Sequence, residues 1–295
     1  MTLTHPEGSD PDEFRVSRRM IAALFFSGYA AAALSAEAEP IHTGEAGLIT
    51  EAVIIPSGDF QLPGYLARPK AKGRFPVVLV NSEVFGVHDY IKDICRRLAK
   101  LGYVAIAPAF FVRVGDPAPL TDFPAIMKIV AAASDQQVMG DVGATLKFLA
   151  AQPYVDAAKI AVTGFCWGGG TTWLASESFP QFKAGVAWYG RMVPSGAAAD
   201  AKRLWPAQLA GQLHCPVLGL YGAKDGLAAQ VPAMRAALAA AGKTTTEIIV
   251  YPDAGHGFHA DYRESYNAAD ARDGWARMLA HFKRYGVGPK AYVAA

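Results

Sequence analysis

The sequence predicts an α/β fold, a mostly parallel central sheet with helices on both faces. Three observations point there. Strand-like runs alternate with helix-length segments from about Glu39 onward, the pattern that joins parallel strands through crossover helices. Several of those runs, residues 76–81 and 103–107 above all, are apolar at almost every position rather than every second one, as expected of strands covered on both faces. The chain has 295 residues, 52% of them hydrophobic, which is enough to bury a large core. No internal repeat and no Pro/Gly/Ser-rich linker divides residues 39–295, which read as one domain.

In chain order, apolar residues at 53–55 and 65–67 flank the turn-rich Pro56-Ser57-Gly58-Asp59 and predict an antiparallel hairpin. The strand at 76–81 follows. Apolar residues at 91, 94, 98 and 101 form a helical stripe that Gly102 closes. A strand at 103–107 ends at Pro108, and a loop leads into helical sequence over 136–151. Residues 159–162 form a strand that runs into Thr163-Gly164-Phe165-Cys166-Trp167-Gly168-Gly169-Gly170, and a helix continues from Thr171. Strands are predicted at 184–189 and 216–221, a helix at 231–241, a last strand at 246–251 and a closing helix at 268–285. Residues 193–212, rich in Gly, Ala and Pro, read as an excursion near a site rather than a boundary.

Residues 1–38 stand apart. A polar lead, Ser17-Arg18-Arg19, an uncharged run over 22–36 and the small-x-small pattern Ala36-Glu37-Ala38 occur in that order. Together they resemble a twin-arginine export signal cut before Glu39, which predicts use of the twin-arginine export machinery and a periplasmic or secreted protein. The apolar run is too short and too rich in Ala and Gly for a membrane span. The alternatives are an amphipathic or membrane-anchoring helix, or a core helix with two surface arginines.

The formal charge is +2 and 18% of residues are charged, so nothing argues for nucleic acid as a partner. The three cysteines, Cys95, Cys166 and Cys215, are too few and too scattered for a disulfide framework or a thiolate zinc site, and no metal or organic cofactor is implied. Spacing does not decide whether Cys95 and Cys215 pair.

Ligand chemistry in such sheets collects beyond the C-terminal ends of the strands. Gly164-Phe165-Cys166-Trp167-Gly168 has the spacing of a sharp strand-to-helix turn that lifts a nucleophile clear of the sheet, here Cys where Ser is more common. The positive end of the following helix then favours a thiolate. After the strand at 216–221 comes Lys224-Asp225-Gly226, and after the last strand comes Gly255-His256-Gly257-Phe258. The chain order Cys166, Asp225, His256 is nucleophile, acid, base, the order of the α/β-hydrolase arrangement. His256 would manage the sulfur's proton and Asp225 would fix the imidazole tautomer. Without one another these residues are an inert thiol in a Gly-rich turn, a turn-capping carboxylate and a surface imidazole. Asp253, three residues before His256, is a competing acid that more naturally shapes its own turn. The first central strand leads to Asn81-Ser82-Glu83-Val84-Phe85-Gly86, where the N–H of Val84 could join that of Trp167 in an oxyanion hole.

Glu83-Val84-Phe85-Gly86, the Cys166 turn, Lys224-Asp225 and Gly255-His256-Gly257-Phe258 together resemble the dienelactone hydrolases (carboxymethylenebutenolidases) over about residues 50–285. The resemblance implies an α/β-hydrolase fold in which Cys166 attacks a lactone or ester carbonyl and Asp225 and His256 complete a triad. It also implies that Glu83 is an extra carboxylate that holds or deprotonates the thiol when substrate arrives. Family members use arginines to hold a substrate carboxylate, and Arg113 matches one such position. After His256 the sequence departs from the family: His259 and Ala260 stand where an arginine is expected, and Arg263 either replaces it or faces solvent. The competing readings are an esterase or peptidase of the same fold acting on other acyl groups, and a non-catalytic, redox-responsive thiol protein.

Overall fold

The computed structural model describes residues 40–194 and 203–290. The expected export signal, and residues 195–202 of the excursion at 193–212, lie outside the described residues. Among the described residues no helix is long and apolar enough to cross a membrane.

One eight-stranded sheet organises the chain. Strands β1 (Leu48–Ser57) and β2 (Phe60–Pro69) form the expected hairpin, closed at Ser57↔Phe60 across Gly58, whose positive φ of 63° suits a residue without a side chain. β3 (Phe75–Asn81), β4 (Val104–Pro108), β5 (Val155–Phe165), β6 (Phe182–Trp188), β7 (Val217–Gly222) and β8 (Glu247–Tyr251) run parallel to one another. The spatial order is β1-β2-β4-β3-β5-β6-β7-β8, with β1 and β2 antiparallel to their neighbours.

The continuous apolar runs are explained by what covers them. In β3, Val78 and Val80 join one core while Val77 and Leu79 join the other, and β4 divides likewise between Ala105, Ala107 and Val104, Ile106. Side chains alternate across a strand, so a strand buried on both faces has no position to spare for a polar residue. The first face is covered by helix α1 (Asp89–Lys100) with Ile91, Ile94 and Leu98, and by the closing helix α7 (Ala268–Arg284) with Trp275, Met278 and Phe282. The second is covered by α2 (Phe123–Ala132), α3 (Asp135–Ala150) and α4 (Trp167–Ser178). A short turn of helix α5 (Pro206–Leu209) and α6 (Val231–Ala240) complete the set.

Local signals set the ends. Gly102, at φ 92°, lets the N–H of Tyr103 reach back to the Leu98 carbonyl at 3.1 Å and terminate α1. Helix α2 replaces part of the loop expected before residue 136. Its N-cap is Asp122, whose side chain accepts from Ala125 N–H at 3.0 Å, and only Ile126 and Val130 of its residues are buried. Such a two-residue apolar stripe is too sparse to stand out in sequence. Cys95 and Cys215 are both free and belong to cores on opposite faces of the sheet, so they do not pair with each other.

Candidate active site

The strand order reverses between β3 and β5, the place where a crevice opens beyond the strand ends. Asn81 pairs with Gly164 there, so the loop after β3 and the turn after β5 leave the sheet side by side. Cys166 sits at the tip of that turn with φ 56° and ψ −116°, a conformation an L-residue rarely adopts, and donates its N–H to the Trp188 carbonyl at 3.1 Å. Backbone crowds both flanking glycines. A Cβ on Gly164 would strike the Gly168 carbonyl, and one on Gly168 would strike the Asn81 and Ser82 carbonyls. The strained turn therefore requires glycine at both positions. Trp167 is the first residue of α4, so its N–H has no intrahelical acceptor, and its ring packs on Phe111 at 4.7 Å between centroids.

His256, on the loop after β8, lies against this turn. Its Nδ1–H donates to Asp225 Oδ2 at 2.7 Å, and the ring borders the same cavity as Cys166. Tyr189, held at φ 38°, sets its ring edge to the imidazole at 5.2 Å. Burial alone would lower the pKa of His256. The bond to Asp225 first, and then the neighbouring Cys166, outweigh that and raise it to about 10. Asp225 makes two contacts at once, because its other oxygen, Oδ1, caps the turn by accepting from Leu227 N–H at 3.0 Å. Asp253 is exposed and paired with Lys224 at 3.3 Å.

Glu83 is fully buried just behind the site. It accepts from the Tyr262 hydroxyl at 2.5 Å, and lies 3.3 Å from His88 Nε2 and 3.4 Å from Arg263 Nη2. Burial pushes its carboxyl up, but Arg263 first and then His88 and Tyr262 hold it down at about 2. Arg263 does not face away into solvent: it stacks over Phe85 at 5.1 Å and borders the same cavity as Cys166 and His256. Arg113 lies elsewhere. Its guanidinium donates to Asp141 at 2.7 Å and to the Ser57 carbonyl at 3.2 Å and covers the Phe60 ring, so it is not part of the cavity wall.

The cavity measures about 680 Å³ and has Cys166, His256, Val84 and Trp167 in its wall. Arg191 and Arg203 also border it, and sequence reasoning passed over both. Arg191 stands three residues past the end of β6, so reading beyond that strand as beyond the others was the signal available. Tyr262, one residue before Arg263, was missed as well, and His88, five residues after Glu83, reads from sequence as a structural or exposed histidine.

The dienelactone hydrolase family model matches residues 62–286. The chain belongs to the dienelactone hydrolase family. A Methylorubrum extorquens protein provisionally named carboxymethylenebutenolidase is 47% identical over 274 residues, covering 92% of this chain and 93% of its own length. A Salmonella typhimurium protein with the same provisional name is 47% identical over 264 residues, covering 88% of this chain and 96% of its own. The crystal structure of a provisionally named dienelactone hydrolase from Klebsiella pneumoniae superposes with a TM-score of 0.76 at 47% identity, over 81% of this chain and 99% of that one. Membership in the dienelactone hydrolase family makes the chain a hydrolase with the α/β-hydrolase fold, as the mostly parallel sheet had indicated.

Proposed function

We propose that the chain cleaves a lactone or ester through a thioester formed on Cys166. One observation supports this above the others: Cys166 and His256 share a cavity, and the imidazole is tied to Asp225 at 2.7 Å. In this reading the sulfur attacks the carbonyl while N–H groups of Val84 and Trp167 receive the developing oxyanion, each worth about 10²–10³ in rate. His256, which carries its proton at neutral pH, gives that proton to the departing oxygen. The neutral ring then takes a proton from water, the resulting hydroxide attacks the thioester, and collapse expels the sulfur with the proton retained on His256. Asp225 keeps the ring in one tautomer throughout.

Glu83 serves as the reserve carboxylate. With Arg263 as its partner at 3.4 Å, a substrate carboxylate that draws on Arg263 frees Glu83 to take the thiol's proton before the sulfur attacks and to return it once the sulfur is expelled. Arg191 supplies a second cation for such a substrate: Arg203 is matched by Asp135 at 3.0 Å and Arg263 by Glu83, whereas Arg191 has no carboxylate partner among the described residues. Arg113, paired with Asp141, lies outside the wall of this cavity.

Cys166→Ala tests the reading. Turnover of dienelactone, simple lactones and aryl esters should vanish while the thermal midpoint holds; ester hydrolysis at the wild-type rate would remove the proposal. We also propose export through a twin-arginine signal spanning residues 1–38. N-terminal sequencing of protein recovered from a bacterial periplasm should start at Glu39, and a retained Met1 in that fraction would refute it.

A further inference from the structure

The cavity does not end at the reactive residues. Five large hydrophobic side chains are conspicuously exposed among the described residues, and three of them, Phe123, Met127 and Leu204, border this one cavity. Phe123 and Met127 are one helical turn apart on α2, 56% and 37% exposed, while Ile126 and Val130 of the same helix turn inward to the core. Apolar surface scattered singly on a protein needs no explanation, but its concentration at the mouth of a cleft marks a binding surface.

The apolar wall is continuous with the chemistry. Arg263 covers the Phe85 ring at 5.1 Å, and Phe85 in turn meets Phe123 at 6.5 Å between centroids. Leu204 and Trp205 border the cavity as well, the latter mostly buried at the start of α5. A volume of about 680 Å³ lies well inside the roughly 300–1,000 Å³ range of sites that hold drug-sized ligands, more room than a single small lactone ring requires.

We propose that the mouth formed by Phe123, Met127, Leu204 and Trp205 is a specificity subsite for a bulky apolar group, aryl or branched alkyl, carried by the ester or lactone. This rests on the hydrolase reading above and deepens it. Phe123 and Met127 set the preference, because they are the exposed members and stand on a helix whose own core contacts do not depend on them.

The experiment compares methyl acetate with methyl 4-phenylbutanoate and 4-phenylbutyl acetate, which carry the ring on the acyl and the alcohol side, using pH-stat hydrolysis. Wild type should favour at least one aryl ester by about ten-fold or more in kcat/KM. Phe123→Ala and Met127→Ala should collapse that ratio toward one through KM, and Ile54→Ser, on the exposed face of β1 away from the cavity, should leave the ratio unaltered. No preference in wild type, or equal losses on all three esters, overturns the subsite. A shift in oligomeric state of the α2 variants by light scattering, with the ratio intact, also overturns it and assigns the patch to self-association. If wild type hydrolyses none of these esters, and neither dienelactone nor the simple lactones, the thioester reading fails instead. Calorimetric binding of 4-phenylbutanol then still decides the subsite, which requires weaker binding in Phe123→Ala than in wild type.

Discussion

Asp225 divides its carboxylate between His256 and its own backbone: Oδ2 receives the imidazole N–H at 2.7 Å while Oδ1 receives Leu227 N–H at 3.0 Å. The two duties separate experimentally. Asp225→Asn keeps an oxygen for the cap, since Asn caps as well as Asp, but loses the charge that holds the ring protonated. It should lower kcat by about 10²–10⁴ with little change in the thermal midpoint. Asp225→Ala should lose the same activity and about 1 kcal/mol of stability besides. Equal stability of the two variants would show that the cap carries nothing.

The same bond sets a pH dependence. The pKa of His256 is raised to about 10, against an ordinary value of 6.5, so its proton is present at neutral pH and lost only as pH climbs through that value. Asp225→Asn removes the second-largest influence on the ring and should move the imidazole titration, followed by NMR, back toward neutrality. An unmoved titration would mean that Cys166 alone governs the ring.

Arg263→Gln should leave the Glu83 carboxylate buried without its strongest attraction, at a cost of about 3–5 kcal/mol. Glu83 is depressed from 4.5 to about 2, so its contribution is complete above pH 4.5 and disappears as pH falls through 2. Urea titrations of wild type and variant between pH 2 and 7 should therefore converge in the acid range. A gap that persists unchanged at pH 2 would place the loss outside the ion pair.

Glu177 presents the opposite sign. It is buried on α4 with both carboxyl oxygens unpartnered among the described residues, and burial raises its pKa from 4.5 to about 9. An unfolded chain releases this proton near 4.5 while the folded one retains it, so the group burdens stability increasingly between those two values and not below the lower. Glu177→Gln should stabilise the protein by up to about 3 kcal/mol at pH 7 and by nothing at pH 4. Equal thermal midpoints at pH 7 would show that an unseen partner relieves the carboxylate.

Arg191→Gln should raise KM for carboxylated lactones about ten-fold more than for neutral ones, if its guanidinium, without a carboxylate partner among the described residues, receives the substrate's charge. Parallel rises in both would mark a general change of the cavity wall.

Much of this fold could be read from residues that obey local rules. Doubly covered strands are apolar throughout, Gly102 stops a helix, and the glycines about Cys166 announce a turn that no larger residue fits. Helix α2 escaped because its inward stripe is two residues long. Tyr262 and His88 escaped for another reason: a tyrosine or a histidine beside a buried carboxylate has the same letter as one in solvent. Arg113 and Arg263 illustrate the limit. Both stand in loops beyond strands, yet one is bound to Asp141 and the other borders the cavity.

By itself, then, the sequence determined the class of fold, the family and the strained turn that carries Cys166, because periodicity, glycine sterics and motif spacing act over a few neighbouring residues. Only the tertiary structure decided which charges are matched and which face the cavity. That depends on partners dozens of residues apart, such as Glu83 and Arg263, whose meeting is set by the order in which the strands lie in the sheet.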